Sequence, residues 1–291
     1  MSRIVVLGDL NLDVYARRPV DLERGEEARD AVRAVPGGSA GTFARTAARC
    51  GGAVTFLGCV GTDLVGDLLV RSLEEAGVRA LVQRTARPSG VILSLEEGDE
   101  RTMVCSRGAN DGIRADRIDP GVFDDAAHLH LSGYAFLSPA QRAAVGRSVG
   151  YAHRQGLSIS VDPPPANLIR SHGVRAFLDR MPDGTWLFPN RAEGEVLAGT
   201  PETRAIVDRL EERFPVGVLT LGVDGSLAWA GETQNRLSVA PLEFVDTTGA
   251  GDAFAGAFVA AYLETRDLAH AHRVAGDAAR RHLAPPGPPA S

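Results

Sequence analysis

Short apolar runs, each leading into a turn residue and most followed by a helical pattern, recur along this chain and decide its fold class. Residues 4–7 lead into Gly8-Asp9, and 54–57, 129–131, 159–161, 187–188 and 218–221 lead likewise into Gly, Asp, Pro or Asn. Runs this short without alternation read as strands buried on both faces, the habit of a parallel sheet. Helical patterns cover 64–76, 139–155, 202–213, 250–264 and 268–282, the first closing on Gly77, where a left-handed cap is wanted. Strands alternating with helices build βαβ units. The chain is therefore expected to be α/β, a three-layer α/β/α fold with a mostly parallel central sheet.

Two stretches break the alternation. Around Gly98-Asp99, residues 91–95 and 102–105 look like antiparallel strands, and 12–35 is similarly irregular. We read segments 12–35 and 89–106 as a small β lid inserted in a single domain that spans 1–291. The tail Pro285-Pro286-Gly287-Pro288-Pro289 cannot hold a helix. With 44% hydrophobic residues, 291 residues suffice to bury roughly three quarters of the unfolded chain's surface.

Charge and composition narrow the chemistry. A net charge of -6 carries no electrostatic footprint for a phosphate backbone, so nucleic acid is not an expected partner. No apolar run is long enough for a bilayer, and the chain opens directly on a strand rather than a leader, which predicts a cytoplasmic protein without a membrane partner. Cys50, Cys59 and Cys105 have no metal or redox spacing and read as buried thiols; the seven histidines show no metal spacing either. All 31 residues counted as Lys or Arg are arginine. A Schiff-base lysine, a Walker A site and a protein-kinase fold are thereby excluded, and any nucleotide must be held by backbone N–H groups, arginine and metal.

The segment Val245-Asp246-Thr247-Thr248-Gly249-Ala250-Gly251-Asp252-Ala253-Phe254 opens an apolar helix. The first N–H groups of a helix lack internal partners and sit at the positive end of its dipole, so Gly249, Ala250 and Gly251 can form an anion hole. Asp252 lies in the same turn, within reach of an attacking hydroxyl. A dinucleotide loop would need glycine at 254, which is Phe. A plain helix cap would not call for two threonines and Gly-Ala-Gly between two aspartates. A second small-residue segment, Pro36-Gly37-Gly38-Ser39-Ala40-Gly41-Thr42-Phe43, precedes another helix. Asp162, before Pro163, falls where open α/β sheets place ligands.

These two segments, in this order, resemble the ribokinase-like (PfkB) carbohydrate kinases. The resemblance extends to Gly8-Asp9-Leu10-Asn11-Leu12-Asp13, to Asn190-Arg191-Ala192-Glu193 as an Asn-x-x-Glu motif, and to Thr220-Leu221-Gly222-Val223-Asp224-Gly225. It implies transfer of the γ-phosphoryl group of ATP to a hydroxyl of a sugar-like molecule, with Asp252 as base. It also implies that Asn11, Asp13, Gly37, Gly38, Ser39, Thr42 and Asn110 face the acceptor, and that Arg107 reaches the transferring phosphate. Asn190, Thr220, Gly222 and Gly225 would border the nucleotide. Asn190 and Glu193 would hold the water shell of Mg2+, and Asp246 and Thr248 would belong to a monovalent-cation (K+) loop. The implied alternatives are a nucleoside kinase of the same family and a non-catalytic sugar-binding protein; a homodimer through the lid is also expected. Thr42 stands where the family often has Asn, which argues against a specific ribose assignment. The C-terminal Arg280-Arg281-His282-Leu283-Ala284 departs from the family's adenine-side loop.

Overall fold

The computed structural model describes residues 2–18, 27, 32–97, 100–239 and 248–283, without the side chains of 17, 18, 97, 100 and 101. The chain begins with β1 (Arg3–Leu7), β2 (Asn11–Arg18), β3 (Val32–Gly37), α1 (Ser39–Arg49), β4 (Ala53–Gly61), α2 (Leu64–Glu75) and β5 (Arg79–Thr85). It continues with β6 (Gly90–Glu97), β7 (Glu100–Ser106), β8 (His128–Ser132), α3 (Pro139–Arg154), β9 (Ser158–Asp162), α4 (Ala166–His172) and α5 (Val174–Leu178). The last elements are β10 (Trp186–Leu187), α6 (Arg191–Ala198), α7 (Thr203–Glu211), β11 (Val216–Thr220), β12 (Ser226–Ala230), β13 (Thr233–Leu237), α8 (Ala250–Thr265) and α9 (Leu268–Leu283).

Among the described residues nine strands form the main sheet, in the order β13-β12-β11-β10-β9-β8-β1-β4-β5. β1 lies at its centre, paired in parallel with β4 and β8, and Ile4, Val5, Val6 and Leu7 are fully buried. A run of β-branched and aliphatic residues with no polar face suits that doubly covered position. One core packs α1, α2, α8 and α9 on one face; the other packs α3 to α7 on the opposite face. The three-layer expectation and the mostly parallel sheet are borne out.

Among the described residues of this sheet, the antiparallel pairs are β11–β12 and β12–β13. Neither was expected, nor was β5, because these strands at or near the sheet edges mix polar with apolar residues. A separate sheet, ordered β3-β2-β6-β7, forms the lid, with the β6–β7 hairpin antiparallel. One sequence expectation fails here: of the three thiols only Cys59 is buried, while Cys50 is partly exposed and Cys105 is exposed. Cys105 lies on β7, the edge strand of the lid among the described residues.

The apolar helix α8 is buried nearly all round, so it must be clasped by other helices rather than laid on a surface. Gly256 makes this possible: a β-carbon there would come 2.5 Å from the Phe43 carbonyl oxygen of α1. This close crossing fixes the start of α8 against the start of α1. Among the described residues no helix is long and apolar enough to cross a membrane.

Candidate active site

The carboxyl ends of β1, β8, β9, β10 and β11 converge with lid strand β2 and the first turn of α8. At this edge the chain reverses direction, so polar turn residues gather where the sheet interior ends.

Asp9, directly after β1, is buried and accepts hydrogen bonds from Ser132 Oγ at 3.0 Å and Asn11 Nδ2 at 3.0 Å. Asn11 Oδ1 in turn accepts from Asn110 Nδ2 at 2.8 Å, and Asn110 Oδ1 accepts from the Leu10 amide at 2.9 Å. The amide of Asn11 is thereby fixed in orientation, with one N–H left over to donate. Two residues on, Asp13 points the same way, as strand alternation requires. Its carboxylate interacts with the Gly38 amide, yet Oδ1 is buried without a hydrogen-bond partner. Burial, then the charges of Asp9 and Asp252, push the Asp13 carboxyl up to about 7.

Gly38 has φ 83 and opens α1, followed by Ser39. Thr42, one turn on, is buried, and its hydroxyl accepts from Arg45 Nη2 at 3.2 Å. The same Nη2 donates to the Pro36 carbonyl of β3 at 3.0 Å. Burial, and then Arg49, lower the Arg45 guanidinium to about 10, against the opposing pull of Asp13 and Asp252. The Thr42 hydroxyl thus holds Arg45 in place across α1 and β3.

Asp252 is the hub. Its charge is felt by Asp13, Arg45, Tyr134, Asp162 and Glu193. Asp162, at the end of β9, shares a side-chain hydrogen bond with it; burial first, and then Asp252, hold the Asp162 carboxyl well above the usual range. Glu193 is pushed up to about 8, chiefly by burial, with Asp252 adding to the shift. Glu193 and Asn190 form a capping box at α6: Glu193 N donates to Asn190 Oδ1 at 3.0 Å, and Asn190 N to Glu193 Oε2 at 2.9 Å. Asn190 Nδ2 donates to Glu193 Oε1 as well.

Asn190 also bridges in parallel to Thr220, whose amide donates to the Pro189 carbonyl at 2.9 Å. Gly222 (φ 62) and Gly225 (φ 88) bound the exposed turn that follows. Arg107 lies beside Asn110, but its guanidinium is directed to Asp111 at 3.1 Å and Gln141 at 2.7 Å and lies over Tyr134. Gly249 (φ 75) caps α8, and Ala250 and Gly251 form its first turn with Asp252. Thr248 adjoins them, whereas Asp246 lies outside the described residues. Asp9, Ser132, Arg45 and Tyr134 were not singled out from the sequence; Tyr134 sits among Asp9, Asp252, Cys105 and Glu193, and burial raises its hydroxyl pKa. An aspartate flanking a predicted strand end was the one available signal.

Three raised carboxyls gathered about Asp252 suit a cation. Among the described residues no group of three or more His, Cys, Asp or Glu is arranged as a metal cage. That donor set fits Mg2+ held mainly through water and phosphate oxygens, with few protein carboxylates.

A parallel sheet whose carboxyl edge gathers acids beside a glycine-led helix start, under a β lid, defines the ribokinase-like fold. The chain belongs to the pfkB family of carbohydrate kinases, whose family model matches residues 1–283. It is 29% identical over 286 residues to the ribokinase of Bacillus subtilis, covering 96% of this chain and 92% of that protein. It is also 29% identical over 252 residues to the adenosine kinase of Saccharomyces cerevisiae, covering 80% and 73%. A candidate ribokinase II from E. coli, solved in complex with ATP and Mg2+, superposes with a TM-score of 0.83 at 23% identity, over 99% of this chain and 94% of that one. The chain is a carbohydrate kinase.

Proposed function

We propose that this kinase transfers the γ-phosphoryl group of ATP to a hydroxyl held between Asp13 and Asp252, with Asp252 as general base. The observation that carries the reading is the pairing of a buried, unsatisfied Asp13 oxygen on the lid strand with Asp252 in the first turn of α8. Asp13 would accept from one acceptor hydroxyl and Asn11 would donate to another. Asp252 would take the proton of the attacking hydroxyl, while the Gly249, Ala250 and Gly251 amides receive the phosphoryl oxygens. Asn190 and Glu193 would hold the water shell of Mg2+, which when bound neutralises phosphate charge and favours ionised Glu193. Thr220, Gly222 and Gly225 would line the nucleotide, and Val223, 86% exposed at the tip of that turn, offers an apolar surface to the base. Arg107 would swing from Gln141 to the phosphate as the lid closes.

A nucleoside acceptor is the second reading, favoured by the similarity to the yeast adenosine kinase. The absence of an amide at position 42 weighs against ribose in particular. We further propose one domain over the chain with the lid inserted, a cytoplasmic setting where ATP is at hand, and a dimer through the lid. The test is coupled ADP release with Mg2+-ATP across free pentoses, hexoses, keto-deoxy sugar acids and nucleosides, beside Asp252→Asn. We expect one acceptor class to be active, with kcat in Asp252→Asn reduced about a hundred- to ten-thousandfold and KM little changed. Comparable turnover in the variant would remove Asp252 as base.

A further inference from the structure

The last turn of α9 is basic, carrying Arg280, Arg281 and His282, and it ends against the loop that opens α8. His282 Nε2 lies 3.0 Å from the Thr248 carbonyl oxygen. A carbonyl only accepts, so Nε2 carries the proton and donates. The fit is close: a β-carbon on Gly249 would stand 2.9 Å from Nε2 and 3.4 Å from Cε1. Glycine at 249, in a left-handed conformation, therefore both turns the chain and admits the imidazole.

The Thr248 carbonyl and the Gly249 amide belong to one trans peptide and point in opposite directions. An N–H donor at the carbonyl end fixes the plane of that peptide and polarises its N–H. That N–H is the first of the donors proposed to receive the phosphoryl oxygens. A monovalent cation at the same carbonyl would act in the same way, and the family resemblance implies a K+ loop at Asp246 and Thr248.

We infer that His282 is a positioning residue for the α8 loop, serving at the Thr248 carbonyl in place of a monovalent cation, so that this kinase works without K+. The inference rests on the kinase reading above. α8 and α9 pack directly against one another, so the imidazole is carried by a rigid element rather than a passing loop. The role is distinct from catalysis, since the hydrogen bond that His282 makes among the described residues is to the loop backbone.

The test compares wild type, His282→Ala and His282→Gln in KCl, NaCl and choline chloride at equal ionic strength. Mg2+-ATP affinity is read by calorimetry and turnover by ADP release with an active acceptor. Wild type should be indifferent to the salt. His282→Ala should lose on the order of tenfold in ATP affinity or kcat in sodium and choline, matching one lost hydrogen bond, and recover with potassium. His282→Gln, which restores an N–H donor, should stay near wild type in every salt. An unchanged melting temperature in His282→Ala keeps the comparison free of global unfolding. The inference is overturned by a wild type that needs K+, or by a His282→Ala enzyme that matches wild type in all three salts. Absence of Mg2+-ATP binding by wild type in every salt would instead strike the kinase reading, and this inference would fall with it.

Discussion

Asp9 shows how one carboxylate can set the chemistry of a neighbour. It takes one N–H of Asn11, and Asn110 takes that amide's oxygen, so Asn11 can serve a ligand only as a donor. Beside it Asp13 can serve as an acceptor, and the pair matches a diol whose hydroxyls have opposite roles. Replacing Asp9 by Leu would leave the Asn11 N–H and the Ser132 hydroxyl without their acceptor, and a buried group left unsatisfied costs about 1–3 kcal/mol. We expect Asp9→Leu to raise KM for the acceptor roughly ten- to a hundredfold with a smaller fall in kcat, measured by initial rates and by calorimetric acceptor binding. An unchanged KM would show that Asn11 needs no such anchor. At this scale the Gly-Ala-Gly-Asp helix start was plain from residue types alone. Asp9 was not, because its meaning comes from Ser132 and Asn110, which the fold brings from far along the chain. Arg45 and Tyr134 were hidden for the same reason: nothing near them in sequence hints at a carboxylate.

Among the elements, the lid carries an asymmetry between its faces. Asn11, Asp13 and Cys105 share the face turned to the proposed acceptor site, while Leu12, Val14, Leu93, Leu95 and Val104 share the other, in cross-strand register. Val104 is 57% and Leu95 43% exposed, so this second face offers apolar area to water. A second copy of the lid would cover it, which is the basis of the proposed dimer. Wild type should sediment as a dimer at micromolar concentration, and the double variant L95E/V104E as a monomer; a monomeric wild type would sink the idea. The β6–β7 hairpin was legible from its alternation around Gly98-Asp99. β5, β12 and β13 were not, because their burial differs from one face to the other and their apolar runs are broken. α6 gives an intermediate case. The Asn-x-x-Glu motif was legible, but the capping box it forms was not, and Glu193 is 7% exposed and lies beside Asp252 rather than in water.

For the molecule as a whole, the site's acids and the core's histidines pull stability in opposite directions with pH. Asp13 moves from 3.8 to about 7 and Glu193 from 4.5 to about 8, chiefly through burial, and Asp162 is raised with them. Between those ordinary and shifted values the folded protein binds more protons than the unfolded chain, so their contribution is fully present below about pH 4 and is lost as pH rises toward 8. His128 and His272 move from 6.5 to about 3 and about 4 through burial, and His130 is lowered too. These rings are held neutral by hydroxyls and an amide: His128 between Ser158 and Ser160, His272 between Ser226 and Asn235. Their contribution is present above 6.5 and is lost as pH falls toward 3. Between about 4.5 and 6.5 the two slopes oppose each other; above 6.5 only the acids remain, and stability falls. The ligand-free protein should therefore have its highest melting temperature on the acid side of neutral and lose several degrees by pH 8. Glu193→Gln should flatten that alkaline limb, because the amide has no proton to lose. Mg2+-ATP should flatten it also, since a cation beside Glu193 and Asp252 favours the ionised acids that burial alone resists. Melting curves from pH 4 to 9, with and without Mg2+-ATP, decide the matter. A ligand-free protein that grows more stable from pH 6.5 to 8 would mean that the acid cluster is already ionised in the fold, and that no cation is needed to hold it so.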